Sequence, residues 1–246
     1  MNKLWLGSVA CITVVAAVPA GAADLPPAPA YKAAMVPPIY DWTGFYAGLH
    51  LGGAWDHRSV NAFNTVNGAL VGTASTSGSG IMGGGQIGYN YMFAPSWVIG
   101  LEADISGADL TSSTQGVNVR AGILNRGVDN VDLFGTVRGR LGYAVGNWLF
   151  YGTGGFAWAD DKLTRTQLMG TVGNATPGTV ESVSKFDTGW TAGGGIEWGF
   201  VPNWTAKIEY LHLDLGTQTF VFPIAQRRQT DGLTIETVLA GVNYRF

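Results

Sequence analysis

The chain has 246 residues, 37 of them glycine and 9 tryptophan, with only 13% charged residues and a formal net charge of -3. That balance excludes a basic nucleic-acid-binding surface, and the length suits one large β-domain. The one cysteine, Cys11, lies close to the N-terminus, so a mature chain has no disulfide, thiolate nucleophile or thiolate metal site.

Lys3, the apolar stretch from Leu4 to Val18 and the small residues Pro19-Ala20-Gly21-Ala22-Ala23 have the layout of a secretory signal peptide. The apolar run is short for a transmembrane helix. The expected signal covers residues 1–23, with cleavage after Ala22 or Ala23. Residues 24–40 carry Pro26, Pro27, Pro29, Pro37 and Pro38 and are expected as an extended periplasmic leader. The expected barrel covers 41–246.

Period-two alternation then recurs eight times. The first strand spans about Thr43 to Trp55, with Phe45, Ala47, Leu49 and Leu51 on one face and Tyr46, Gly48 and His50 on the other. About Ile81 to Phe93 puts Ile87, Tyr89, Tyr91 and Phe93 out, and Gln86, Gly88 and Asn90 in. About Trp97 to Ala108 puts Ile99, Leu101 and Ile105 out, and Gly100, Glu102 and Asp104 in. About Asp132 to Val145 puts Val137, Leu141 and Tyr143 out, and Thr136, Arg138 and Arg140 in. The fifth strand begins at Trp148 and is apolar on both parities, so its facing stays open and a bulge is possible. About Phe186 to Phe200 puts Trp190, Ile196 and Trp198 out, and Thr191 and Glu197 in. About Trp204 to Leu215 puts Ile208 and Tyr210 out, and Thr205, Lys207 and Glu209 in. The last strand, from Glu236, has Val238, Ala240, Val242, Tyr244 and Phe246 on its apolar face.

Tight turns at Ala94-Pro95-Ser96, Gly146-Asn147 and Val201-Pro202-Asn203 alternate with long connections at about 56–80, 109–131, 160–185 and 216–232. Short periplasmic turns, long external loops and aromatics at strand ends are the outer-membrane pattern. A lipocalin-like soluble barrel would put the apolar parity inside; here the polar parity carries glycines and compensating charges. The expected fold is all-β: an eight-stranded antiparallel transmembrane barrel with four long external loops.

Phe134-Gly-Thr-Val-Arg138-Gly-Arg140-Leu-Gly-Tyr143 resembles the fourth-strand motif of the small alphaproteobacterial outer-membrane proteins, the immunogenic proteins of brucellae and rhizobia. Asp41-Trp42-Thr43-Gly44-Phe45-Tyr46-Ala47-Gly48 resembles that family's first strand. Gly189-Trp190-Thr191-Ala192-Gly193-Gly194-Gly195-Ile196-Glu197 resembles its sixth, and Ala23-Asp24-Leu25-Pro26 its mature start. The resemblance spans essentially the whole mature chain. It implies an OmpA-type eight-stranded barrel in the cell outer membrane, in a family described variously as structural, antigenic, porin-like or haem-binding.

Eight strands leave an interior just wide enough for side chains. The inward parity places Glu102, Asp104, Arg138, Arg140, Glu197, Lys207 and Glu209 there, expected as an ion-pair network that plugs the lumen. The same charges could instead line a narrow ion path. No catalytic role, cofactor or metal is expected: Gly83-Gly84-Gly85-Gln86-Ile87-Gly88 matches a dinucleotide-binding spacing but precedes no helix, and His50, His57 and His212 lack metal-ligand spacing. Tyr244 and Phe246 are expected as the C-terminal signal for the barrel-assembly machinery. Arg227 and Arg228 could meet lipopolysaccharide phosphates. The expected role is structural, in envelope integrity and as a monomeric, surface-exposed antigen; the alternatives are a low-conductance pore and a surface binder of haem, host or lipopolysaccharide.

Overall fold

The computed structural model describes residues 40–118 and 122–246. The signal peptide expected over 1–23, and all but the last residue of the leader expected over 24–40, lie outside them. Eight strands follow in order: β1 (Gly44–Asn64), β2 (Leu70–Ala94), β3 (Trp97–Asn118), β4 (Ile123–Val145), β5 (Trp148–Met169), β6 (Val180–Val201), β7 (Trp204–Phe222) and β8 (Arg227–Arg245). Each pairs antiparallel with the next, and β8 returns to β1, so the sheet closes into a barrel. Among the described residues no helix is long and apolar enough to cross a membrane.

Facing follows the alternation. Leu49 is 74% exposed and Ile208 64%, whereas their neighbours His50 and Lys207 are buried. A continuous outward apolar belt on a closed barrel is stable where lipid covers it. At the end that carries the C-terminus, Trp97 packs edge-on against Tyr143 (ring centroids 5.3 Å apart), Trp148 stacks on Trp198 (5.6 Å) and Trp204 meets Tyr244 (5.1 Å). This ring of aromatics matches an interfacial girdle. The turns beneath it are tight, and Gly146, at a φ of 61°, takes a left-handed conformation that suits glycine.

Two expectations change. β5 has a definite facing: Leu149, Tyr151, Ala157 and Ala159 point in, while Trp148, Phe150 and Phe156 point out. Its ladder to β6 runs without a shift. Its ladder to β4 shifts twice, once with the extra residue in β4, between Val131 and Leu133, and once in β5 itself, where Leu168 is extra opposite Leu124 and Asn125. The bulge therefore lies near the far end of the strand. The four long connections are present, but strand occupies most of their length. β1 runs to Asn64 and β2 resumes at Leu70, with His57, Ser59 and Asn61 opposite Ser77, Ser75 and Thr73. The outward face turns polar there while the backbone goes on pairing. β2 has 25 residues, whereas about 9–11 suffice to cross hydrocarbon. The wall therefore continues well beyond the apolar belt at the far end, parted into two sections where the β2–β3 ladder stops at Met82 opposite Ala108 and the β6–β7 ladder at Trp190 opposite Asp214.

Ile208→Arg places a charge at mid-belt and should destabilise the barrel by about 2–4 kcal/mol, read from equilibrium unfolding in lipid vesicles. A Thr164→Arg change, on the wall beyond the belt, should have little effect in the same assay.

Candidate functional site

The ladders set the lumen chemistry. Register puts Glu102 directly opposite Arg138, and Glu197 opposite Lys207. Arg138 donates to Glu102 at 2.6 Å, Glu209 at 2.9 Å and Asp104 at 3.1 Å. Arg140 donates to Glu197 at 2.7 Å and lies 3.7 Å from Glu102. Lys207 donates to Glu102 at 3.0 Å and lies 3.8 Å from Glu209. All seven side chains anticipated from the inward parity thus meet in one cluster. Every acid in it faces a cation, which a buried charge requires.

The cluster has members that sequence reasoning did not include. Tyr46 donates to Glu102 at 2.7 Å, and Tyr151 to Glu209 at the same distance. Thr205 and Asn243 donate to Glu197 at 2.5 and 2.9 Å, and Gln86 extends the chain to Asn243 at 2.7 Å. His50 joins Gln86 and Ser106, and Thr136 donates to Asp104. The Arg140 guanidinium also sits 3.9 Å from the Tyr151 ring centroid. Both tyrosines lie over a glycine of the adjacent strand, Tyr46 opposite Gly88 and Tyr151 opposite Gly195. A Cβ at either glycine would collide with the phenol. An inward tyrosine facing an inward glycine was the signal available in the sequence.

Apolar fillings flank the charges. Toward the far end Ala54, Met82, Phe134, Leu211, Leu213 and Ile235 form a buried layer. At the C-terminal end Trp42, Val98, Leu149 and Tyr151 close a second one. Arg245 lies over Tyr40 (4.9 Å) and Trp42 (5.7 Å) and donates to the Asp41 carbonyl, holding the segment before β1 in the barrel mouth. The inward parity was read as polar, and this apolar content is a correction to it.

Beyond the belt, Arg58 donates to Asp161 at 2.7 Å and lies 3.8 Å from both Asp129 and Asp231. All four side chains are buried. Acid outnumbers base here. Burial, reinforced by Asp161 and Asp231, raises Asp129 to about 7. Burial likewise raises Asp231 to about 6.

The remaining candidates separate. Arg227 turns inward, whereas Arg228 is exposed over the Phe63 ring at 5.2 Å, so the two do not form a joint phosphate clamp. Period two forces adjacent residues to opposite faces. Tyr244 and Phe246 stand outward, ring centroids 5.3 Å apart. His50 is buried in the network, and His212 pairs with Glu236 at 3.0 Å. Among the described residues no group of three His, Cys, Asp or Glu side chains is arranged to hold a metal.

The model of the outer membrane protein β-barrel domain matches residues 10–246. The 31 kDa outer-membrane immunogenic protein of Brucella melitensis is 32% identical over the whole of both chains. The 22 kDa outer membrane protein of Rhizobium leguminosarum is 31% identical over 76% of this chain and 71% of its own. Among solved structures, OprG of Pseudomonas aeruginosa is 11% identical with a TM-score of 0.48, covering 85% of this chain and all of that one.

Two outcomes follow from the geometry. Removing Arg138 strands charge in a closed interior and should cost about 3–5 kcal/mol. Glu102 keeps Lys207 and Glu209 keeps Tyr151, but Asp104 keeps only Thr136. In a double-mutant cycle read by chemical unfolding, Asp104→Ala should therefore recover more of the Arg138→Ala loss than Glu102→Ala does. The second outcome concerns pH. A carboxyl whose folded pKa lies above its unfolded value binds extra protons when folded. Its contribution to stability is full below about pH 4 and falls as pH rises through about 7. Hydrogen exchange of the far-end strands should accelerate over that window, and Asp129→Asn should flatten the response.

Proposed function

We propose a sealed structural role for this chain, which belongs to the outer membrane protein β-barrel family and is a surface-exposed protein of the cell outer membrane. Its lumen is closed, the barrel strengthens the envelope, and the far-end wall faces outward as an antigenic surface. The observation that carries this reading is the sequence of fillings along the lumen. Trp42 and Leu149, then Arg138, then Phe134, Leu211 and Leu213 are each 2% exposed or less. An ion path would need a hydrated lane through all three. The printed names of the Brucella relatives, outer-membrane immunogenic proteins, support the antigenic part. Both termini of the barrel lie at the tight-turn end, which supports a periplasmic position for that end. Arg228, exposed on the outward wall, is the remaining candidate for a lipopolysaccharide contact. Glu197 and Glu209, the pair closest to an acid/base arrangement, both hold arginines, which favours a structural role.

Planar-bilayer recording on refolded protein tests the seal. The wild type should show no resolved channel events. Arg140→Ala should lower stability without opening a current. Steady conductance by the wild type, with ion selectivity that changes in Arg138→Ala or Arg140→Ala, would replace the plug with a narrow pore.

A further inference from the structure

At the far end, inside the extended wall, lies a cavity of about 560 Å³, a size typical of small-molecule sites. Asp129 forms part of its floor, Leu163, Val172 and Phe222 part of its walls, and Arg165 and Arg227 both line it. Arg165 is only 7% exposed. Its Nη2 donates to Gln167 Oε1 at 2.7 Å, but its Nη1 has no hydrogen-bond partner among the described residues. The acid opposite it in the ladder, Glu181, is engaged elsewhere. Its two oxygens accept from the backbone N–H groups of Ile224 (2.8 Å) and Ala225 (3.1 Å), and it stays 3.9 Å from Nη1. A buried guanidinium N–H without an acceptor is costly and rare. Burial, and behind it repulsion from Arg227, pulls Arg165 below its ordinary pKa despite the opposing charge of Glu181.

We propose that this vestibule binds a small organic monoanion with an apolar body. The carboxylate or sulfonate accepts from Arg165 Nη1 and Arg227, and the body packs on Leu163, Val172 and Phe222. An anion there supplies the acceptor that Glu181 does not, through charge-assisted bonds. It also separates two like charges. The floor adds selectivity. Above about pH 7, where Asp129 is ionised, it repels a second negative charge together with Asp161 and Asp231 behind it around Arg58, so a dianion is disfavoured there. The site lies outward of the apolar layer around Phe134, so it can stand or fall independently of the sealed lumen.

The test uses the full barrel in lipid nanodiscs, titrated by saturation-transfer NMR with three probes: benzoate, benzyl alcohol and phthalate. Benzoate should bind saturably and about ten-fold or more tighter than the other two. Arg165→Gln and Arg227→Gln should each remove most of that advantage and leave benzyl alcohol unchanged. Asp129→Asn should narrow the gap between benzoate and phthalate. Arg227 is only partly buried, so Arg227→Gln decides the matter if Arg165→Gln does not refold. Benzoate binding no better than benzyl alcohol, or equal binding by wild type and Arg227→Gln, would overturn the proposal.

Discussion

Hydrocarbon offers no partner to a peptide N–H or C=O, so a sheet within it cannot keep an open edge. Closure of β8 on β1, from Tyr46 opposite Arg245 to Asn64 opposite Arg227, meets that demand. Everything inside the barrel follows from it. With eight strands the closed wall encloses roughly the width of the side chains themselves. The inward parity must then satisfy its own polar groups and fill its own volume. Tyrosine over glycine is one solution: Gly88 and Gly195 provide the room, and Tyr46 and Tyr151 fill it while carrying a donor to a carboxylate.

The charged layer has a second consequence. Buried ion pairs add little net stability compared with well-packed apolar groups. Their contribution here is to assembly. A one-residue slip between β3 and β4 would turn one strand's charges toward lipid. An arginine at mid-membrane costs about 2–4 kcal/mol, and β4 carries two, Arg138 and Arg140. The charges that join the walls in the native register therefore penalise the neighbouring one.

Facing was legible wherever the two parities differ in chemistry. Leu49 against His50, Ile99 against Gly100 and Ile208 against Lys207 each give the outward side from composition alone. β5 was not legible because Leu149, Tyr151, Ala157 and Ala159 belong to the lumen fillings, so apolar residues lie on both sides. The far-end strands were hidden for the opposite reason. Past Trp55 in β1 and before Ile81 in β2, both parities are largely polar, and pairing continues without hydrophobic contrast. The charged residues of the site could be listed from parity, but their partners could not. That Arg138 reaches Glu209 as well as Glu102 depends on how the ring brings β4 and β7 together. Arg58 and its aspartates escaped notice because their segments were read as connections.

The continuation of the wall past the bilayer bears on how other proteins can engage this one. A protease binds its substrate as an extended chain and pairs with its free backbone groups. In the far-end stretches of β1, β4, β5 and β8 those groups are already committed to strands on both sides. Strands β2, β3, β6 and β7 pair there on one side only, the β2–β3 ladder ending at Met82 opposite Ala108 and the β6–β7 ladder at Trp190 opposite Asp214. Among the described residues, the connections 65–69, 170–179 and 223–226 lie outside the strands. The second is tied down by Val172 paired with Ala175, and by a bond from Asn174 N–H to the Ile224 carbonyl. A surface built this way presents side chains on a fixed lattice. What recognises it must read residues distant in sequence and adjacent in register, such as Ser59 beside Ser75, and a linear peptide cut from the same stretch would not reproduce them.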